Sequence, residues 1–214
     1  AGGLWLCTDT GVFERKDGHF APLGGSGNKP SYLCSSLVEL TDGSLVLSCG
    51  DVVPYRDGNF GAPLDAKDRA SDVVLGPEGA VWFGTNAAGV FRLVDGQAEL
   101  MVARTQPASS LFFDSRGALW LSGTGPNIAR RSPNGVVEDF TLPNGQTPLG
   151  QSVFIEEPDG SMLFTTDNLG LVRLQEGTFR TFDQRSGAPY SAISVYEDRA
   201  RRVWMGGADL KEMN

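Results

Sequence analysis

Residues 79–97 read GAVWFGTNAAGVFRLVDGQ: an apolar run around Trp82, a Gly-Thr, a small loop, a second apolar run, then Asp95-Gly96. The first half of this string recurs as GGLWLCT at 2–8, GSLVLSC at 43–49, GALWLSG at 117–123, GSMLFTT at 160–166 and RRVWMGG at 201–207. Its central residue is Trp5, Val46, Trp82, Trp120, Leu163 and Trp204, so successive copies lie 41, 36, 38, 43 and 41 residues apart. A period near 40 marks a repeat architecture and has room for four short strands per unit.

Each unit reads in one register. An apolar strand A (SSLVEL, SDVVLG, SSLFFD, QSVFIEE, SAISVYED) is followed by a tight turn and the tryptophan strand B. A short loop leads to strand C (GVFERK, DVVPYR, GVFRLV, NIARRS, GLVRLQ), and a Gly turn leads to strand D. The pairs Asp17-Gly18, Asp57-Gly58, Asp95-Gly96 and Asn134-Gly135 predict type I′ hairpins between C and D, because these residues tolerate positive φ. Gly43, Gly79, Gly117 and Gly160 predict the same tight closure between A and B, with Arg201 standing where the last unit should have its glycine.

Strands A and B are nearly continuous apolar runs, which implies sheets covered on both faces. Four-stranded meanders stacked face to face at a fixed period make an all-β β-propeller. The predicted organisation is one propeller domain, 1–214: partial blade 1–24, blades at about 31–65, 70–103, 108–143 and 150–183, and partial blade 190–214. The chain reads as an incomplete ring trimmed at its N-terminus, with a B strand at each end, around Trp5 and Trp204, so that one B strand is left over. The recurrent tryptophan is read as packing between blades, and Gly84-Thr85 as a close backbone approach plus a local hydroxyl bond. Pro54 within a C strand demands an edge or a bulge.

Composition narrows the function. The 214 residues are 40% apolar, and 26 acidic against 18 basic side chains give a net charge of −8 without a basic stripe, which excludes nucleic acid as a partner. No apolar stretch is long enough to cross a bilayer, so no direct membrane insertion is expected of this segment. Cys7, Cys34 and Cys49 match no zinc spacing, and no metal or cofactor is expected. Pairing SSLVEL with LVLSC sets Leu40 against Leu45 and leaves Cys34 diagonal to Cys49, predicting three free thiols. His19, the one histidine, follows a C–D turn and reads as a solvated turn residue. The carboxylate pairs Glu156/Glu157 and Glu197/Asp198 read as solvated strand ends, so the chain is expected not to be an enzyme.

The string LGPEGAVWFGTNAAGVFRL resembles the two-component regulator propeller repeat, with FDSRGALWLSGTGPNIARR, EEPDGSMLFTTDNLGLVRL and GGLWLCTDTGVFERK progressively further from it. The resemblance spans the whole chain. It implies a periplasmic sensor region of a hybrid histidine kinase or a membrane-bound diguanylate cyclase, recognising a small molecule or oligosaccharide. The remainder of the sensor chain, or a homodimer mate, would be its protein partner. The alternatives are an interaction or dimerisation scaffold and a propeller lyase similar to the streptogramin-cleaving family.

The A–B and C–D turns are uniform and short, whereas the D–A and B–C loops vary, so a ligand is expected on the latter. The ligand-binding candidates there are Lys29, Tyr32, Asp51, Arg69, Asn86, Arg104, Asn127, Gln146, Asp167, Asn168, Arg185 and Tyr190. They mix cations, carboxylates, amides and aromatic faces of the kind that hydrogen-bond to and stack on a sugar.

Overall fold

The computed structural model describes residues 4–8, 10–24, 33–64, 68–123, 127–141 and 152–208. The chain divides into two compact units, Ala1–Leu111 and Phe112–Asn214. In the first unit, strands β1 (Trp5–Thr8), β2 (Gly11–Lys16) and β3 (His19–Pro22) form a three-stranded sheet. A four-stranded sheet follows, made of β4 (Ser36–Glu39), β5 (Leu45–Cys49), β6 (Asp51–Arg56) and β7 (Asn59–Phe60). A second has β8 (Ala70–Leu75), β9 (Val81–Thr85), β10 (Val90–Val94) and β11 (Gln97–Val102).

The sheets of the second unit begin with β12 (Ser110–Phe113), whose first residues close the first unit, joined by β13 (Leu119–Ser122), β14 (Asn127–Arg131) and β15 (Val137–Thr141). Next come β16 (Phe154–Glu156), β17 (Met162–Thr166), β18 (Gly170–Gln175) and β19 (Thr178–Phe182), then the pair β20 (Ser191–Glu197) and β21 (Val203–Ala208). Each of the four-stranded sheets is an up-and-down meander in chain order, the blade of a β-propeller. Among the described residues the only helical pieces are short 3-10 turns at Pro77–Gly79 and Gln184–Ser186.

The B strands are the reason these sheets stack. Every residue of β5, β9, β13 and β17 is buried. Side chains of alternate parity serve opposite neighbours: Val46 packs on Val81 and Phe83 of the following sheet, and Trp120 on Met162 and Phe164. Trp5 and Cys7 likewise lean on Leu45 and Leu47. The A strands add hydrogen bonds between sheets: Ser36 Oγ accepts from Val73 N at 2.8 Å, and Asp72 Oδ2 accepts from Leu111 N at 2.8 Å.

The turns follow their residues. Asp17-Gly18, Asp57-Gly58, Asp95-Gly96 and also Glu176-Gly177 have positive φ at both positions, as type I′ requires. At Asn134-Gly135 only the glycine does, because Pro133 sets the first position of a type I turn, closed by Gly135 N to Ser132 O at 2.9 Å. Pro54 sits inside a four-stranded sheet, opposite Val46, and not at an edge strand. Its carbonyl, hence also its ring nitrogen, faces the β7 side, where β7 is cut to two residues and Gly61 N returns to Pro54 O at 2.8 Å.

The cysteine expectation is corrected: Cys34 and Cys49 form a disulfide, and Cys7 is free. The register is Glu39 opposite Leu45 and Ser36 opposite Ser48, one residue from the predicted pairing. Ser35 N also bonds to Ser48 O at 2.8 Å, so Ser35 and Ser36 both oppose Ser48. This bulge brings Cys34 directly across from Cys49. The same irregularity recurs between Ala70 and Asp72 in β8 and between Ala192 and Ser194 in β20.

Candidate functional site

Three of the B–C loops are held by the threonine that ends the B strand, Thr8, Thr85 or Thr166. Thr85 Oγ1 donates to Gly89 O at 2.9 Å and accepts from Ala88 N at 3.2 Å. Thr166 does the same with Gly170 O at 3.1 Å and Leu169 N at 2.9 Å, and Thr8 Oγ1 donates to Gly11 O at 3.0 Å. Gly84 is required by the backbone beside it: a Cβ there would lie 2.0 Å from Ala108 O.

On this framework the first unit gathers four of the candidates. Asn86 N bonds to Arg69 O at 3.0 Å, and Ala70 N bonds to Gly50 O at 2.8 Å beside Asp51. Arg104 closes the group, its backbone nitrogen 2.9 Å from where a Cβ on Gly89 would stand. The Asp68 carboxylate braces the loop by accepting from Ala87 N. In the second unit Gly170 N bonds to Tyr190 O at 3.0 Å, drawing Tyr190 to the loop that carries Asp167 and Asn168. Arg185 lies in the adjacent 3-10 turn, whose first N–H groups are capped by Asp183 (Arg185 N to Oδ1, 3.0 Å). Lys29, Tyr32 and Gln146 lie outside the described residues, as does the side chain of Asn127.

The second unit also holds two cavities that sequence reasoning did not single out. One, of about 470 Å³, runs between the β16–β19 sheet and β20–β21, floored by Leu163, Leu171, Phe182, Val203 and Met205. Arg173 and Glu157 stand at one end, and Ser186 to Ala188 at the other. The other, of about 340 Å³, opens beside the A–B and C–D turns, with Arg116, Arg130, Phe140, Glu156 and Gln175 among its walls. These side chains repeat the core pattern of every blade, so nothing in the sequence distinguishes them from packing.

The carboxylates at the A-strand ends are paired rather than merely solvated. Glu157 receives Arg173 Nε at 2.5 Å, Glu197 receives Arg201 Nε at 2.5 Å, and Glu156 accepts from Ser115 Oγ at 2.8 Å. Asp198 accepts from Trp204 Nε1 and from the Ala200 and Arg202 backbone, which with Arg202 hold its carboxyl at about 2. His19 is exposed at the start of β3. Among the described residues no group of three or more His, Cys, Asp or Glu side chains could hold a metal ion. Nor is any helix among them long and apolar enough to cross a membrane.

No protein-family model matches the chain, and no curated protein does either. Solved β-propeller structures do. The extracellular domain assigned to the hybrid two component system BT4673 from B. thetaiotaomicron aligns with a TM-score of 0.74 at 17% identity, covering 96% of this chain and 31% of that one. The corresponding domain of BT3049 from the same organism gives 0.72 at 18% identity, covering 95% and 30%. A streptogramin B lyase gives 0.69 at 17% identity, covering 98% and 80%. The chain thus has the fold of these proteins and spans about a third of the two-component domains. The expectation that it is not an enzyme is corrected by the same comparison, since streptogramin B and virginiamycin B lyases share its fold.

Proposed function

We propose that this chain is a periplasmic sensor propeller of a bacterial signal-transduction receptor, and that its D–A and B–C loop face recognises a small molecule or glycan. The observation that carries this is the gathering of Asp51, Arg69, Asn86 and Arg104 in one unit, and of Asp167, Asn168, Arg185 and Tyr190 in the other, on loops held rigid by Thr85 and Thr166. Such preorganised loops lower the ordering cost of binding. The shared fold with two-component extracellular domains supports the signalling role. The Cys34–Cys49 disulfide supports an oxidising compartment.

The test is a thermal-shift screen against a panel of oligosaccharides and small metabolites. A hit should lose its shift in the Arg104→Ala, Arg185→Ala double variant and keep it in the turn-face pair Asp57→Ala, Asp95→Ala. The reverse pattern would assign the ligand to the opposite face.

A second reading is favoured by the 80% of a streptogramin B lyase that the chain covers: the chain would be a lyase. Incubation with quinupristin, the ligand bound by one of the lyases, followed by chromatography, tests it. Unchanged quinupristin at high protein concentration sinks it.

A further inference from the structure

Three blades place an arginine on strand C directly opposite the central residue of strand B: Arg92 across from Trp82, Arg130 from Trp120 and Arg173 from Leu163. Two of these find a carboxylate in the chain. Arg92 Nη2 lies 2.9 Å from Glu99, and Arg173 is held by Glu157 at 2.5 Å and by Asp159 at 2.7 Å. Arg130 is different. The carboxylate oxygens beside it, on Asp114 and Glu138, stand at 3.7 and 3.9 Å, beyond hydrogen-bond reach, and its Nε is buried with no partner among the described residues. A buried guanidinium donor left unmatched is costly and calls for an acceptor.

Arg130 lines the cavity of about 340 Å³ between the β12–β15 and β16–β19 sheets, all of whose lining residues belong to the second unit. Trp120 and Phe140 wall it from one sheet, Met162 and Leu174 from the other. The Arg130 guanidinium lies over the Trp120 ring, 5.7 Å from its centroid, and Phe140 stacks on the same indole at 5.6 Å. Arg116 brings a second cation to the cavity, its Nη2 3.2 Å from where a Cβ on Gly160 would stand. The carboxylates around the cavity are already engaged. Asp114 accepts from Arg116 N, Ala118 N and Trp120 Nε1, and Glu156 from Ser115. Asp159 accepts from Ser161, Arg173 and Gln175, while Glu176 is exposed in its turn.

We propose that this cavity binds a small organic carboxylate, with the carboxylate on Arg130 and an apolar body against Phe140, Met162 and Leu174. Arg130 thereby receives from a ligand the group that Arg92 and Arg173 receive from the chain. A guanidinium pairs with a carboxylate through two parallel hydrogen bonds, the strongest such contact a side chain makes. The apolar walls select a carboxylate with a flat or short hydrocarbon body, and the volume is that of a small ligand site. The cavity opens beside the A–B and C–D turns, so this site is separate from the D–A and B–C loop face.

The probes are benzoate and hexanoate, with benzamide as the uncharged counterpart, added to the full chain. Binding is followed by the Trp120 indole N–H signal in heteronuclear NMR spectra, assigned with Trp120→Phe. The expected result is that a carboxylate probe moves this signal and saturates it by about 20 mM, whereas benzamide leaves it in place. Arg130→Gln removes a side chain that makes no close ion pair, so folding is preserved and checked by circular dichroism, and binding is expected to weaken at least roughly 10-fold. Arg130→Lys keeps the charge without the planar fork; it too is expected to weaken binding, and it serves where the glutamine variant does not fold. No response to either carboxylate at that concentration overturns the proposal. So does an equal response to benzamide, or an Arg130 variant that binds as the parent does. None of these outcomes bears on whether the loop face binds a glycan.

Discussion

Trp120 Nε1 donates a hydrogen bond to Asp114 Oδ2 at 2.9 Å, and the same pairing joins Trp204 to Asp198, six residues apart in both cases. Asp114 also accepts from Arg116 N and Ala118 N, so one buried carboxylate closes the A–B turn and fixes the indole that packs on the next sheet. The tryptophan is thus a packing residue whose polar atom is satisfied by the turn beside it.

Asp114→Ala removes the acceptor of all three hydrogen bonds at a buried site. It is expected to cost about 2–4 kcal/mol of stability, measured by denaturant unfolding. Asp198→Ala, at an exposed turn with the same bonds, should cost distinctly less. Equal costs would show that burial is not what gives Asp114 its weight.

Arg201 occupies a left-handed conformation, φ 66°, at the turn position where Gly43, Gly79, Gly117 and Gly160 sit at 74–80°. A side chain there costs roughly 1–2 kcal/mol. Its ion pair with Glu197 is solvent-facing on the arginine side and returns little of that. Arg201→Gly is therefore expected to stabilise the protein by about 0.5–1 kcal/mol. A loss of stability on thermal unfolding would contradict this.

The blade was legible because its signals are local: Asp95-Gly96 can only be a tight turn, and Val81–Phe83 is apolar at every position. Departures came where a neighbour decided. Asn134-Gly135 promised a type I′ turn, and Pro133 made it a type I. The register of β4 on β5 depended on a bulge at Ser35–Ser36, which serine does not announce and which is set by hydrogen bonds to the following sheet, such as Ser35 Oγ to Ser71 O at 2.7 Å. The loop candidates were legible as variable polar residues on constant scaffolding. The groove at Leu163, Phe182 and Met205 was not, since its side chains are those of any blade core.

The disulfide closes a sequence separation of 15 residues. Reduction is expected to cost roughly 3 kcal/mol, through the extra freedom gained by the unfolded chain. Thiol titration of the denatured, unreduced protein should find one free thiol, Cys7. Three thiols in that titration would return the pair to the reduced state expected from the sequence.

Asp72 gives the fold a pH dependence. Burial pushes its carboxyl up to about 6, against the opposing effect of hydrogen bonds from Leu111 N, Ser36 and Val73 N. In the unfolded chain the same group loses its proton near 3.8. Between these values the folded protein holds a proton that the unfolded one has released. The contribution of Asp72 to stability is therefore greatest below about pH 4 and declines as pH rises through 6, by up to about 3 kcal/mol for a shift of this size. Other carboxylates act in the opposite sense at lower pH: Asp42 and Asp198 are held at about 2 by their hydrogen-bond donors, and their contribution is lost only as pH falls toward that value. The window from pH 4 to 6.5 therefore isolates Asp72. Asp72→Asn keeps the shape and an acceptor for Leu111 N but cannot ionise. Its unfolding free energy should be nearly flat across that window, while the parent's falls. Parallel slopes for the two proteins would place the titrating group elsewhere.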